Sequence, residues 1–301
     1  MANKIDKPDS SQAADYGLQK GAQTWGVIFW RRFRRNRLAQ VGAVIMLILY
    51  VIALAAPWLA PYDPNATDIR NRLKPPSAEH WFGTDRYGRD VFSRMLYGAR
   101  ISLSVGFVAV GISVTIGTLV GAIAGYFGGV VDNVLMRLVD IVISLPGLMF
   151  LILVIALFGR SIIHIMVVIG LLSWPGVARL VRGEFLSLRE REFVEAARAV
   201  GVDDLRLMFR HLLPNAIAPV VVAATLGVAG AIITEAGLSY LGLGVPPPAP
   251  SWGNMVQEGQ QLIRRAWWLI TFPGAAILIA VMSFNLIGDA LRDALDPRLT
   301  D

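Results

Sequence analysis

The side chains able to do chemistry in this sequence are few and scattered. The three histidines, His80, His164 and His211, lie far apart and show no metal-ligand spacing. With no cysteine among 301 residues, disulfide frameworks, zinc–thiolate sites and thiol catalysis are excluded. The sequence shows no Ser-His-Asp set, paired-carboxylate motif or phosphate-binding glycine loop. It therefore predicts no catalytic residue, no cofactor and no metal, and any nucleotide chemistry must come from a partner.

The charges that do stand out fall in three places. Asp85, Arg89, Asp90 and Arg94 crowd just ahead of an apolar segment, where they either form local ion pairs and helix caps or contact an external protein. Glu235 lies roughly 21 residues into an apolar helix, about 31 Å along it at 1.5 Å per residue. It either lines a path and meets a ligand's positive charge or is an interfacial carboxylate bonded to serine, and the residues fit both readings. Asp140, inside another apolar segment, presents the same choice.

The third place is a long polar segment between two apolar runs, which reads as a helix, a turn and a second helix. Phe193, Ala197 and Val200 share one apolar face of the first. Gly201 suits the left-handed residue that stops it. Asp203 is a fitting N-cap for the second helix, with Asp204 in its first turn. Leu205, Met208, Phe209 and Leu212 then make an apolar stripe, and Pro214 marks the return to the apolar run. Ala196 and Ala197 make the first helix flat, and Arg198, Arg206 and Arg210 ring it with charge. Such an element can seat in a partner's groove. It can equally be an elbow lying on lipid headgroups. Residue chemistry alone does not separate the two.

The composition says what carries these groups. Hydrophobic residues make up 55% and charged residues 17%, against about 25% charged in soluble domains. The mean hydropathy is +0.55. Six apolar runs of membrane length are expected, at about 38–60, 101–125, 138–158, 161–180, 215–237 and 268–290. The fold class is an all-α transmembrane bundle. Phe158-Gly159-Arg160-Ser161 makes a tight turn between the third and fourth spans, and Trp174-Pro175 kinks or ends the fourth. Gly117, Gly121 and Gly125 form overlapping GxxxG units, which call for close helix packing. Trp252, Trp267 and Trp268 fit an interfacial belt.

The basic residues set an orientation. With the N-terminus inside, segments 1–37, 126–137, 179–214 and 291–301 are cytoplasmic and hold 18 Lys and Arg, against 10 outside. That bias predicts cytoplasmic N- and C-termini. The expected divisions are a cytoplasmic tail 1–37, a first span 38–60, an extracytoplasmic loop 61–100, a five-span core 101–290 containing a cytoplasmic loop 182–214, and a tail 291–301. The net charge of +6 fits basic cytoplasmic loops. Arg31 to Arg37, beside Trp25, Phe29 and Trp30, reads as an interface anchor rather than a nucleic-acid arm. No cleavable leader is evident, since the first apolar run follows a long polar stretch and is full membrane length.

At Glu195-Ala196-Ala197-Arg198-Ala199-Val200-Gly201, followed after nine residues by His211-Leu212-Leu213-Pro214, the chain resembles the EAA loop of ABC-importer permeases. Glu195, Ala196, Ala197, Gly201, Leu213 and Pro214 keep the family spacing. His211 stands where the general pattern has isoleucine, although peptide importers often have a basic or polar residue there. Three more stretches resemble the C-type permease of dipeptide and oligopeptide importers: Gly83 to Leu103, Leu238 to Gly253, and Asn285 to Pro297. Together the similarities run from about residue 26 to 299; the first 25 residues match nothing.

The resemblance implies a six-span, type I permease in a bacterial inner membrane. It implies a homologous second permease, two ATP-binding subunits, an extracytoplasmic binding protein and a di- or oligopeptide substrate, with nickel chelates and glutathione as alternatives. It also implies that the 195–214 loop, including His211, docks into the ATPase. An ATP-independent secondary transporter would call for a central intramembrane charge and inverted repeats, and neither is visible. A purely structural scaffold leaves the patterned loop unexplained.

Overall fold

The structure, a computed structural model, describes residues 36–295. The expected N-terminal basic anchor and the end of the C-terminal tail lie outside these residues. Within them the chain is helical, with one isolated β-bridge between Thr84 and Asp90. Helix α1 spans Arg37–Leu59, α2 Val91–Phe127, α3 Gly129–Ser144, α4 Gly147–Phe158 and α5 Ile162–Leu188. Helix α6 is Glu192–Ala199, α7 Asp204–Tyr240, α8 Trp252–Gln260 and α9 Trp268–Leu295.

Five helices (α1, α2, α5, α7 and α9) are long and apolar enough to cross a membrane. The expected third span is a bent pair: α3 and α4 meet at 79°. Pro146 explains the break. It has no N–H to donate, and its ring pushes Leu145 out of the helical region, to ψ 127°. The twelve residues of α4 reach only about 18 Å, too short to cross alone. Counting the pair as one crossing gives the expected six. By contrast, α5 runs through Pro175 without ending.

The seam between α2 and α5 is the most extensive in the fold. A Cβ on Gly117 would sit 2.8 Å from the Trp174 carbonyl oxygen, and one on Gly125 2.8 Å from that of Arg182. Between them, Gly121 lies against the carbonyl oxygen of Ala178. Here the absence of a side chain lets two backbones approach, the use expected of small residues in lipid. Farther along α2, Gly106 receives Val228 of α7 and Gly98 receives Trp252 of α8. Apolar side chains on α1 point outward, as a lipid-facing helix requires (Leu47, Val51 and Leu54 are exposed).

Residues 61–90 cover one end of the bundle. Backbone bonds from Asp68 N–H to the Tyr87 carbonyl, Leu73 N–H to that of Asp85, and Thr84 N–H to that of Lys74 fold this loop on itself. Gly88 has φ +75°, and a Cβ there would collide with the Asp68 carbonyl, so the turn needs glycine. The opposite end carries α6 and the start of α7.

Candidate functional site: a two-helix elbow

Each feature of the 192–214 elbow follows from a local residue choice. Helix α6 ends in a Schellman pattern. Gly201, at φ +79°, donates to the Arg198 carbonyl, and Val202 N–H donates back to that of Ala197 at 3.1 Å. Asp203 then caps α7, accepting the Arg206 N–H at 3.3 Å.

From Leu207 to Leu212 the helix widens to a π pattern, and Leu213 N–H donates to the carbonyl of Met208. Such widened turns concentrate at functional positions. The helix does not restart at Pro214: α7 begins at Asp204 and passes through the proline, and the side-chain Nδ2 of Asn215 donates to the His211 carbonyl at 2.6 Å.

Burial sorts the apolar residues into two sets. Val194, Leu207, Met208 and Leu212 are inside, packed on Val181, Phe185, Ala122 and Tyr126. Phe193 (42% exposed), Val200 (80%), Leu205 (65%) and Phe209 (44%) remain outside. The expected stripes are therefore divided. Met208 and Leu212 anchor the elbow to the bundle, joined by Val194 and Leu207, which helical spacing had not singled out. The exposed residues lie beside the flat, exposed Ala196. Exposed apolar side chains gathered on one short element mark a candidate interaction surface.

Below the elbow is a polar recess of about 490 Å³ lined by Tyr126, Phe127, Arg189, Glu190, Glu195 and Arg198. Two ion pairs brace the helices behind it. Arg182 holds Asp132 through two bonds, 2.5 and 2.6 Å, and Arg179 meets Asp140 at 2.7 Å.

The remaining expected residues lie elsewhere. Glu235 sits near the far end of α7, fully buried, accepting the Ser239 hydroxyl at 2.7 Å and that of Ser102 at 3.4 Å. Its observed partners are serines. Replacing Glu235 by Gln keeps both contacts and is expected to cost under about 1 kcal/mol. Glu235→Leu strands the two hydroxyls and is expected to cost about 1–3 kcal/mol, read as a fall in melting temperature in detergent. Equal losses in both variants would show that the charge, not the hydrogen bonding, matters.

Arg89 and Asp90 are buried in the loop-end cap. Arg89 bonds Asp85 at 2.5 Å and Glu258 of α8 at 2.9 Å; Asp90 takes the His80 ring at 2.9 Å and caps α2 through Ser93 N–H. Arg94, 2% exposed, faces both Asp85 and Glu258. A second recess, about 380 Å³, opens between α2, α5 and α7, lined mostly by apolar residues such as Val110, Ile169 and Val177, with the hydroxyls of Ser113, Ser173 and Thr234 among them.

A bent-pair membrane bundle displaying such an elbow matches solved transporters. The inward-facing MetNI methionine ABC transporter aligns with TM-scores of 0.54 (21% identity; 66% of this chain, 95% of that one) and 0.53 (22%; 68% and 98%) in two crystal forms. Residues 117–301 match the binding-protein-dependent transport system inner membrane components, and residues 24–76 match the N-terminal TM domain of oligopeptide transport permease C. The chain is 45% identical to the dipeptide transport system permease protein DppC of Alkalihalophilus pseudofirmus over 99% of its length and 98% of that protein's. It is 44% identical to the glutathione transport system permease protein GsiD of Escherichia coli O157:H7, over 90% of each. The chain belongs to the binding-protein-dependent transport permeases, in their dipeptide and oligopeptide group: it is a multi-pass inner-membrane permease subunit of an ABC importer.

Proposed function

We propose that this permease carries di- or oligopeptides and takes its driving force through the 192–214 elbow. The observation that carries the reading is the exposure of Phe193, Ala196, Val200, Leu205 and Phe209 on an element whose other face, Ala197 included, packs on the bundle. Such a face fits a groove on a soluble partner. In this reading the partners are two ATP-binding subunits, which hydrolyse ATP while this chain does no catalysis. A homologous second permease completes the path, and an extracytoplasmic binding protein delivers the substrate.

The elbow and both termini are then cytoplasmic, as the basic residues suggest, and the 61–90 loop is outside. Glu195, Ala196, Ala197, Gly201, His211, Leu213 and Pro214 form or support the docking element. The recess between α2, α5 and α7 faces the path. ATP-driven closure moves the docked elbow, and differential affinity for the two ATPase states drives the reorientation. The similarity to a glutathione permease favours one second reading, glutathione as the cargo, which is itself a peptide.

The test is reconstitution with the ATP-binding, second permease and binding-protein subunits in proteoliposomes, scoring ATP-dependent uptake of labelled dipeptide, oligopeptide and glutathione. Glu195→Lys and Gly201→Asp are each expected to cut both uptake and ATPase association by about tenfold or more. A Cβ at Gly201 meets nothing within 4 Å, but the residue sits at φ +79°, so Gly201→Asp also strains the turn and Glu195→Lys is the variant that reports on the partner. Unchanged association in both variants would sink the docking claim.

A further inference from the structure

Tyr126 is the last buried residue of α2, a helix of 37 residues, or about 55 Å, that runs from the 61–90 cap to the elbow. Its side chain touches both elbow helices. The hydroxyl donates to Asp204 Oδ1 at 2.5 Å, in the first turn of α7. Over the ring face lies the Arg198 guanidinium of α6, 5.5 Å from the centroid. Between these contacts lies the turn that Gly201 and Asp203 shape. Buried apolar contacts from Leu207 and Met208 seat the elbow, but apolar packing is non-directional. The hydroxyl–carboxylate bond and the guanidinium stack specify orientation.

We propose that Tyr126 is a positioning residue that fixes the angle of the elbow to α2, so that displacement of the docked elbow is passed to the long helix rather than absorbed in the turn. This rests on the reading that the elbow docks an ATPase. The geometry makes Tyr126 and Asp204 one device: loss of either partner frees the same joint. Asn at 204 keeps an Oδ1 acceptor and so keeps most of it.

The experiment uses the complete importer in proteoliposomes and compares Tyr126→Phe, Asp204→Ala, Asp204→Asn and Tyr126→Phe/Asp204→Ala. The readouts are ATPase association and peptide transported per ATP hydrolysed. Tyr126→Phe keeps the ring beneath Arg198. It is expected to leave association intact and lower peptide per ATP about five- to tenfold, the scale of one ordinary hydrogen bond.

Asp204→Ala should match Tyr126→Phe, the double variant should be no worse than either, and Asp204→Asn should stay near wild type. A second measurement uses the absence of native cysteine in this chain. Spin labels at Val130→Cys and Glu192→Cys, both exposed and outside the docking face, should give a broader distance distribution in Tyr126→Phe. A wild-type transport ratio in Tyr126→Phe overturns the proposal, as does additive loss in the double variant or an unchanged distance distribution. Glu195→Lys separates the two claims: if it too leaves association intact, docking itself fails; if it abolishes association while Tyr126→Phe stays coupled, only the role of Tyr126 falls.

Discussion

Gly121→Val is expected to open the α2–α5 seam and leave the permease unable to form a stable bundle. The reason is what stands opposite. An added Cβ would press on the Ala178 carbonyl and sit 2.9 Å from Val181 Cβ and 3.0 Å from the Arg182 nitrogen. Two of these three are backbone of a packed helix, which cannot rotate aside as a flexible side chain can. Overpacking of this kind costs about 1–3 kcal/mol and more where backbone must shift. In lipid no hydrophobic drive between helices offsets it, because association rests on close contact. The damage should spread, because Phe185 on the same face of α5 helps seat the elbow. Gly111→Val is the control, since a Cβ there meets nothing within 4 Å. Melting temperature and gel-filtration profile of the detergent-solubilised chain decide it. Gly121→Val behaving like Gly111→Val would show that the seam tolerates separation.

The seam shows what kind of feature was legible in the sequence. Gly117, Gly121 and Gly125 announced close packing because helical spacing puts them on one face, and the partner needed no identifying. Gly201 and Asp203 were equally readable, since a left-handed stop and an N-cap are decisions made within a few residues. The break at Leu145–Pro146 was present as a local signal but was overridden by continuous apolarity, which reads the same through a bend as through a straight span. The elbow's division into buried and exposed apolar residues was not legible, because it depends on where α5 crosses. The π turn further shifts the facing of Leu207 to Leu212 away from 3.6-residue spacing. Tyr126 was invisible for a different reason: its partner Asp204 is 78 residues away, and no periodicity links them. Local rules thus placed the site, and non-local packing decided which of its residues face outward.

Arg94→Met is expected to loosen the whole loop-end cap, with a loss of about 3–5 kcal/mol, the usual consequence of leaving a buried charge without its partner. Arg94 is 2% exposed and faces Asp85 at 3.7 Å and Glu258 at 3.5 Å, while Arg89 contacts the same two carboxylates. The four charges balance only as a set. Removing Arg94 leaves one cation against two acids. Because Asp85 belongs to the 61–90 loop and Glu258 to α8, the lost cation weakens the tie between loop and helix, which Arg89 alone must then hold. Protease cleavage within 61–90 should therefore accelerate in Arg94→Met while the elbow end stays protected. Neutralising one acid tests the cause. Arg94→Met/Glu258→Gln restores the balance and is expected to recover part of the loss, with a coupling of about 1–3 kcal/mol. Additive losses in the double variant would mean that Arg94 acts by filling space, through its methylene stem, and that the charge set is incidental to the cap.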